Sequence, residues 1–122
     1  LLQFYKEKKA SIVAVYDTKD KYRISTRLGC VAVDHFHKII DFEEKPSHPK
    51  STLAATACYV FPKEDLHFIE EALKEKHYDR PGDLIKFIAE KRIVYGYQFA
   101  GYWFDVGTPE EYALVNSEKT KL

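Results

Sequence analysis

Residues 11–16 read Ser-Ile-Val-Ala-Val-Tyr, a short stretch dominated by β-branched and apolar side chains. A run this short and this apolar predicts a buried strand rather than a helix. Residues 28–33, Leu-Gly-Cys-Val-Ala-Val, have the same character. Strands without a polar face are typical of sheets that helices cover on both sides. These two stretches therefore favour a sheet sandwiched between helices.

The other apolar patterns extend this sheet and supply its helices. Further strands are predicted at 38–44, 55–61, 94–99 and 102–106, the first pairing with residues 30–33 across the turn at 34–37. A first helix is predicted at 1–9, and a second begins at Pro62, with an apolar side formed by Leu66, Ile69, Ala72 and Leu73. A third helix follows Gly82-Asp83 and carries the apolar residues Leu84, Ile85 and Ile88. A fourth begins at the Thr108-Pro109-Glu110-Glu111 cap and runs to about Asn116. This order of elements predicts a mixed sheet in an α/β or α+β fold.

The composition excludes several classes of protein. Of 122 residues 45% are apolar, and 19 Lys+Arg balance 19 Asp+Glu to a formal net charge of zero. This content suits a chain with a buried core and lacks the basic excess of a nucleic-acid-binding protein. No run approaches the roughly 18 apolar residues of a membrane span, and no secretory stretch follows Leu1-Leu2. We therefore expect neither nucleic acid nor membrane as a partner, and a cytoplasmic location.

Two further features concern the thiols and the start of the chain. Cys30 and Cys58 lie inside apolar runs, which predicts buried, reduced thiols, with a disulfide between neighbouring strands as the alternative. The chain contains no Met and begins Leu-Leu-Gln-Phe. From this we expect a processed chain or a fragment of a longer one.

The densest polar cluster covers residues 41–46, Asp-Phe-Glu-Glu-Lys-Pro. Strand alternation gives Glu44 the face of Ile40 and Phe42, and puts Asp41 and Glu43 on the opposite face. A carboxylate that continues an apolar face is costly unless it accepts strong hydrogen bonds. Hydroxyl groups of a ligand can supply those bonds.

Lys45 follows this carboxylate directly, and Pro46 should hold it in extended geometry. A carboxylate that binds hydroxyls beside an ammonium that binds phosphate suits a sugar phosphate. The alternative is an exposed strand end whose charges are solvated.

The second cluster covers residues 101–108, Gly-Tyr-Trp-Phe-Asp-Val-Gly-Thr. Alternation puts Trp103 and Asp105 on one face of the predicted strand. Asp105 precedes a strand-to-helix turn, where ligands gather at the carboxyl ends of open sheets. One such carboxylate can hold Mg²⁺ together with phosphate oxygens. The alternative is an Asp that serves the turn or caps the helix.

Three blocks, at residues 40–46, 53–61 and 101–112, together resemble the sugar-1-phosphate nucleotidyltransferase family. They read Ile-Asp-Phe-Glu-Glu-Lys-Pro, Leu-Ala-Ala-Thr-Ala-Cys-Tyr-Val-Phe and Gly-Tyr-Trp-Phe-Asp-Val-Gly-Thr-Pro-Glu-Glu-Tyr. Glucose-1-phosphate thymidylyltransferases and mannose-1-phosphate guanylyltransferases belong to this family. Order and spacing match over residues 11–116.

The resemblance implies a Rossmann-like mixed sheet flanked by helices. It also implies a reaction in which a sugar-1-phosphate oxygen attacks the α-phosphorus of a nucleoside triphosphate. Pyrophosphate leaves with the help of Mg²⁺, and the product is an NDP-sugar.

The resemblance also assigns roles to particular residues. Glu44 would bind sugar hydroxyls, and Lys45 would bind the sugar phosphate. Gly29 would let the sugar approach the backbone. Ala55 and Tyr59 would line the sugar pocket, and Asp105 would hold the metal with Trp103 beside it.

The chain also departs from the family pattern. Ala57 stands where the family usually has Gly in the sugar pocket, so the pocket is expected to be narrower or reshaped. The family's glycine-rich triphosphate loop, its catalytic Lys and a second metal-binding Asp have no counterpart in the sequence. We therefore expect residues 1–122 to be the C-terminal, acceptor-sugar half of the domain, with no catalytic residue and little activity alone.

An incomplete domain would leave a strand edge unpaired and a sheet face uncovered, so we also expect self-association. Two alternatives stay open. One is a non-catalytic sugar-phosphate-binding subunit or sensor that needs a partner chain. The other is a domain whose site has degenerated.

Overall fold

The computed structural model describes residues 1–75, 81–104, 106 and 108–119. Five strands form one sheet: β1 (Ser11–Asp17), β2 (Gly29–Val33), β3 (Ile39–Glu44), β4 (Leu53–Val60) and β5 (Val94–Gln98). The helices are α1 (Leu2–Lys8), α2 (Lys21–Ile24), α3 (Leu66–Glu75), α4 (Pro81–Lys91) and α5 (Pro109–Lys119), and a 3-10 turn, Lys63–Asp65, leads into α3.

The strand order in the sheet is β3-β2-β4-β1-β5. β1 and β5 run parallel, whereas β1 with β4, β2 with β4 and β2 with β3 are antiparallel. The sheet is therefore mixed and carries helices, which confirms the predicted α/β class. The predicted pairing of β2 with β3 across the 34–37 turn is also confirmed.

The main core lies between α3, α4 and one face of the sheet. Val13 and Val15 of β1 and Val31 of β2 contribute from the strands. Ile85 and Ile88 of α4 are fully buried against them. Burial of such side chains stabilises the fold by roughly 1.5–3 kcal/mol each.

The opposite face of the sheet has a smaller cluster. Ile24 of α2 packs there with Cys30 and Ala54, and Trp103 lies against this group. Farther along β4, Ala57 and Cys58 are exposed. The prediction of two buried thiols was therefore right for Cys30 and wrong for Cys58, and both thiols are free.

A buried carboxylate joins β1 to α3 and α4. Asp65 is 1% exposed, and its Oδ2 accepts a hydrogen bond of 2.7 Å from the Ser11 hydroxyl. Arg92 places its Nη2 3.7 Å from Asp65 Oδ1. A buried carboxylate needs such partners, so this group fixes the start of α3 relative to β1 and the end of α4.

Some predicted elements were wrong in detail. Residues 102–104 form no strand, so the strand predicted at 102–106 was wrong for them. In α3 the buried side chains are Phe68 and Ala72, and Leu73 is 70% exposed, because the helix turns a different stripe toward the sheet.

Other differences concern element ends and one strand irregularity. The structure contains α2, which the sequence patterns did not predict and which Asp20 caps by accepting the Tyr22 N–H. α4 begins at Pro81, so Gly82 lies inside the helix. Ile40 is 64% exposed, because the register of β3 on β2 shifts near this position.

Thr108 caps α5 as predicted, since its hydroxyl accepts the Glu111 N–H at 3.1 Å.

Self-association of the chain stays a prediction.

Candidate functional site

The candidate site is a cleft beside the second half of β4. β2 begins at Gly29, opposite Ala55, so its pairing with β4 covers only residues 53–55 of that strand. A cleft of about 380 Å³ opens past this point. That volume lies in the range of small-molecule sites in proteins.

The residues that line the cleft come from separate parts of the chain. They are Arg27, Leu28, Gly29, Phe42, Glu44, Lys45, Ala55, Thr56, Ala57, Tyr59, Gly82, Trp103 and Phe104. All six residues that the family resemblance assigned to sugar-phosphate binding are among them. Their common location is a finding; their roles stay predictions.

The floor of the cleft is formed by Phe42, whose side chain is buried. A Cβ atom on Gly29 would lie 3.1 Å from Cζ of Phe42 and 3.5 Å from Cβ of Ala55. A side chain at position 29 would therefore crowd the ring. Without one, the backbone of Gly29 borders the cleft, which is the property that a closely approaching ligand needs.

Glu44 and Tyr59 face the cleft from β3 and β4. The pKa of the Tyr59 phenol is raised, first by burial and second by the negative charge of Glu44. The two side chains are thus close enough to interact electrostatically. They present a carboxylate and a neutral hydroxyl to the same space.

Lys45 adopts a left-handed backbone conformation with φ of 46°. The prediction that Pro46 holds it extended was therefore wrong. Hydrogen bonds on both sides explain the difference, because the Lys45 N–H donates to the Leu28 carbonyl at 3.1 Å and the Thr26 N–H donates to the Pro46 carbonyl at 2.9 Å. Left-handed conformations of non-glycine residues cost about 1 kcal/mol or more and cluster at functional sites.

The other face of β3 has a different charge arrangement. Lys50 places its Nζ 3.4 Å from Asp41 and 3.4 Å from Glu43. The pKa of Lys50 is raised by its hydrogen bond to Asp41 and by the charges of both carboxylates. Asp41 and Glu43 therefore share the face that alternation predicted, away from the cleft.

The loop after β5 contributes one wall of the cleft, which is formed by Trp103. Its ring lies 6.0 Å from the ring of Tyr16 at an angle of 52°, and it packs on the cluster around Ile24. The segment thus needs no strand pairing to stay in place. The indole is anchored on the sheet and borders the cleft.

The predicted metal ligand Asp105 lies outside the described residues. Within the ranges that the structure describes, no three His, Cys, Asp or Glu side chains form a group that could hold a metal ion. Mg²⁺ at Asp105 stays a prediction.

Sequence reasoning did not assign a role to several lining residues. Phe42 was placed on the Glu44 face by alternation, which was a sufficient signal for its position. Gly82 and Phe104 gave no such signal, because their positions depend on how α4 and the 102–104 segment pack.

No helix in the described part of the chain is long and apolar enough to cross a membrane.

Comparison with known proteins gives relatives of this chain. It is 40% identical over 103 residues to a glucose-1-phosphate adenylyltransferase of Thermosipho melanesiensis, covering 80% of this chain and 24% of that protein. A glucose-1-phosphate adenylyltransferase of Thermosipho africanus is 36% identical over 127 residues, covering 99% of this chain and 30% of the relative. The chain thus spans less than a third of the length of these curated relatives.

A solved structure shares the fold over nearly the whole chain. A UDP-glucose pyrophosphorylase complexed with UDP-glucose superposes with a TM-score of 0.76 at 23% identity, covering 98% of this chain and 48% of the other. A family model described as "Nucleotidyl transferase" matches residues 1–121. The chain belongs to the nucleotidyl transferase family.

Proposed function

We propose that this chain is the acceptor-sugar part of a sugar-1-phosphate nucleotidyltransferase and that its cleft binds the sugar 1-phosphate. The observation that carries the proposal is the convergence of six residues from four segments on one cleft: Gly29, Glu44, Lys45, Ala55, Tyr59 and Trp103. The named activities of the relatives support the same substrate class.

Each proposed contact follows from the chemistry of its side chain. The carboxylate of Glu44 accepts hydrogen bonds from sugar hydroxyls, which are charge-assisted and therefore strong. The ammonium of Lys45 neutralises the sugar phosphate. The backbone at Gly29 and the small side chain of Ala55 leave room for the sugar ring, and Tyr59 borders it.

In the proposed reaction a phosphate oxygen of the sugar 1-phosphate attacks the α-phosphorus of a nucleoside triphosphate. The bond from that phosphorus to the bridging oxygen breaks, and pyrophosphate leaves. The contribution of this chain is to hold the attacking oxygen in place and to reduce the repulsion between two anions by means of Lys45. Such positioning and charge neutralisation account for most of catalysis in phosphoryl transfer.

Calorimetric titration of the chain with glucose 1-phosphate tests the proposal. Lys45→Ala should weaken binding about tenfold or more, because a hydrogen bond between charged groups contributes about 1.5–3 kcal/mol. Lys50→Ala is the matched control, since Lys50 is also an exposed lysine near carboxylates but lies on the other face of β3. Equal affinity of the two variants would contradict the proposed role of Lys45.

A further inference from the structure

Gly82 borders the cleft from the first turn of α4, and it is buried. A Cβ atom at this position would overlap Oε2 of Glu44. It would also lie 2.7 Å from Cε1 and 3.0 Å from Cζ of Phe42. The place of a side chain at position 82 is therefore already occupied by the carboxylate of Glu44 and the edge of the Phe42 ring.

The backbone gives no other reason for a glycine here. Gly82 is part of an α-helix and is not among the positive-φ glycines. Within a helix, alanine is favoured over glycine because glycine loses more conformational freedom. Space, rather than backbone conformation, is thus what position 82 requires.

Gly29 and Gly82 lie on two sides of the same ring. A Cβ on either glycine would approach Cζ of Phe42, to 3.1 Å from position 29 and to 3.0 Å from position 82. The ring extends into the cleft floor between β2 and α4 because neither position carries a side chain. On the α4 side the same space also holds the carboxylate of Glu44.

We infer that Gly82 is a positioning residue for sugar recognition, because the missing side chain lets the Glu44 carboxylate lie against the first turn of α4. The inference rests on the proposed function, in which Glu44 binds the sugar hydroxyls. The first turn of a helix carries a partial positive charge, which favours a carboxylate at that place. A methyl group at position 82 would move the carboxylate away from it.

The inference separates recognition of the sugar from recognition of the phosphate. Gly82→Ala should weaken binding of glucose 1-phosphate about tenfold, because the displaced carboxylate loses charge-assisted hydrogen bonds. Binding of inorganic phosphate should stay within about twofold of wild type, because the proposed phosphate ligand is Lys45 and the added methyl group would contact Glu44 and Phe42. A general loss of structure would reduce both affinities together.

Gly96→Ala is the matched control. Gly96 is buried in β5, and a Cβ there would lie 3.1 Å from Cγ1 of Val33 and 3.5 Å from Cγ1 of Val15, away from the cleft. This variant introduces a similar crowding of buried atoms. It should lower the melting temperature and leave both ligand affinities unchanged.

A shorter carboxylate at position 44 tests whether Gly82→Ala weakens sugar binding by displacing the carboxylate of Glu44. Glu44→Asp withdraws the carboxylate by one methylene from the space at position 82. In that background Gly82→Ala should reduce glucose 1-phosphate affinity by less than about threefold, since the closest overlap is relieved. If Gly82→Ala does not fold alone, the double variant is compared with Glu44→Asp by itself and should match it within the same limit.

The outcomes separate this inference from the proposed function. If wild type binds glucose 1-phosphate and Gly82→Ala binds it equally well, the inference is wrong and the proposed function stands. The inference is also wrong if sugar phosphate and phosphate affinities fall together, or if the loss is the same in the Glu44→Asp background. If wild type does not bind glucose 1-phosphate, the proposed function is wrong and this inference is wrong with it.

Discussion

The two faces of β3 carry similar residues in different electrostatic settings. On one face Asp41 and Glu43 share Lys50, and all three charges have partners within the protein. On the cleft face Glu44 and Lys45 have no ion pair or side-chain hydrogen bond to another described residue. A face whose charges pair internally serves the fold. A face whose charges are left unpaired beside a cleft is suited to a ligand.

The largest expected effect distinguishes neighbouring carboxylates on these two faces. Glu44→Gln should weaken glucose 1-phosphate binding about tenfold to a hundredfold, because a hydrogen bond to a charged group contributes about 1.5–3 kcal/mol. Glu43→Gln should leave the affinity unchanged, since Glu43 pairs with Lys50 on the far face. Calorimetric titration measures both. A similar loss in the two variants would mean that the faces do not differ in function.

An intermediate effect concerns the backbone of Lys45. Lys45→Gly and Lys45→Ala both remove the ammonium, so both should weaken phosphate binding equally. Lys45→Gly should nevertheless be more stable than Lys45→Ala by about 1 kcal/mol, because glycine adopts φ of 46° without steric cost. A difference of that size raises the melting temperature by about 3–6 °C. Equal melting temperatures would show that the left-handed conformation is not a source of strain.

The smallest expected effect is a change in the titration of Tyr59. Glu44→Gln should lower the pKa of Tyr59 toward its ordinary value without restoring it, because burial is the larger cause and remains. Glu43→Gln should not change it. The raised pKa of Tyr59 means that the folded state holds the phenol proton more tightly than the unfolded state does. The free energy of unfolding therefore falls as the pH rises from the pKa of the unfolded chain, about 10, through the pKa of the folded protein.

NMR of ¹³Cζ-labelled tyrosine follows the Tyr59 titration in each variant. Wild type and Glu43→Gln should give the same pKa, and Glu44→Gln a lower one. An unchanged pKa in Glu44→Gln would contradict the proximity of the two side chains in the cleft.

The strands could be predicted from sequence because burial restricts composition strongly. The apolar runs at 11–16 and 28–33 lie in β1 and β2 of the sheet, and only the end residues differ. The strand predicted at 102–106 was wrong for residues 102–104, because a loop that packs one indole on a sheet can be as aromatic as a strand. Aromatic content alone does not report backbone pairing.

The cleft could be predicted in part. Glu44 and Lys45 were identifiable because a carboxylate that continues one apolar face of a strand, followed directly by an ammonium, suits a polar ligand. The conformation of Lys45 was not, since the restriction before proline favours extended geometry and the two hydrogen bonds that oppose it involve residues 26 and 28. Gly82 was not identifiable either, because its neighbours Phe42 and Glu44 lie about forty residues earlier.

The assembly of the cleft from distant segments has a thermodynamic consequence. Its lining begins at Arg27 and ends at Phe104, so no short segment of the chain contains the site. A ligand that binds only the assembled cleft stabilises the entire fold by mass action, by about 2.7 kcal/mol at a hundred times its Kd. Ligand occupancy would then be measurable as slower amide hydrogen exchange, even in strands that never touch the ligand.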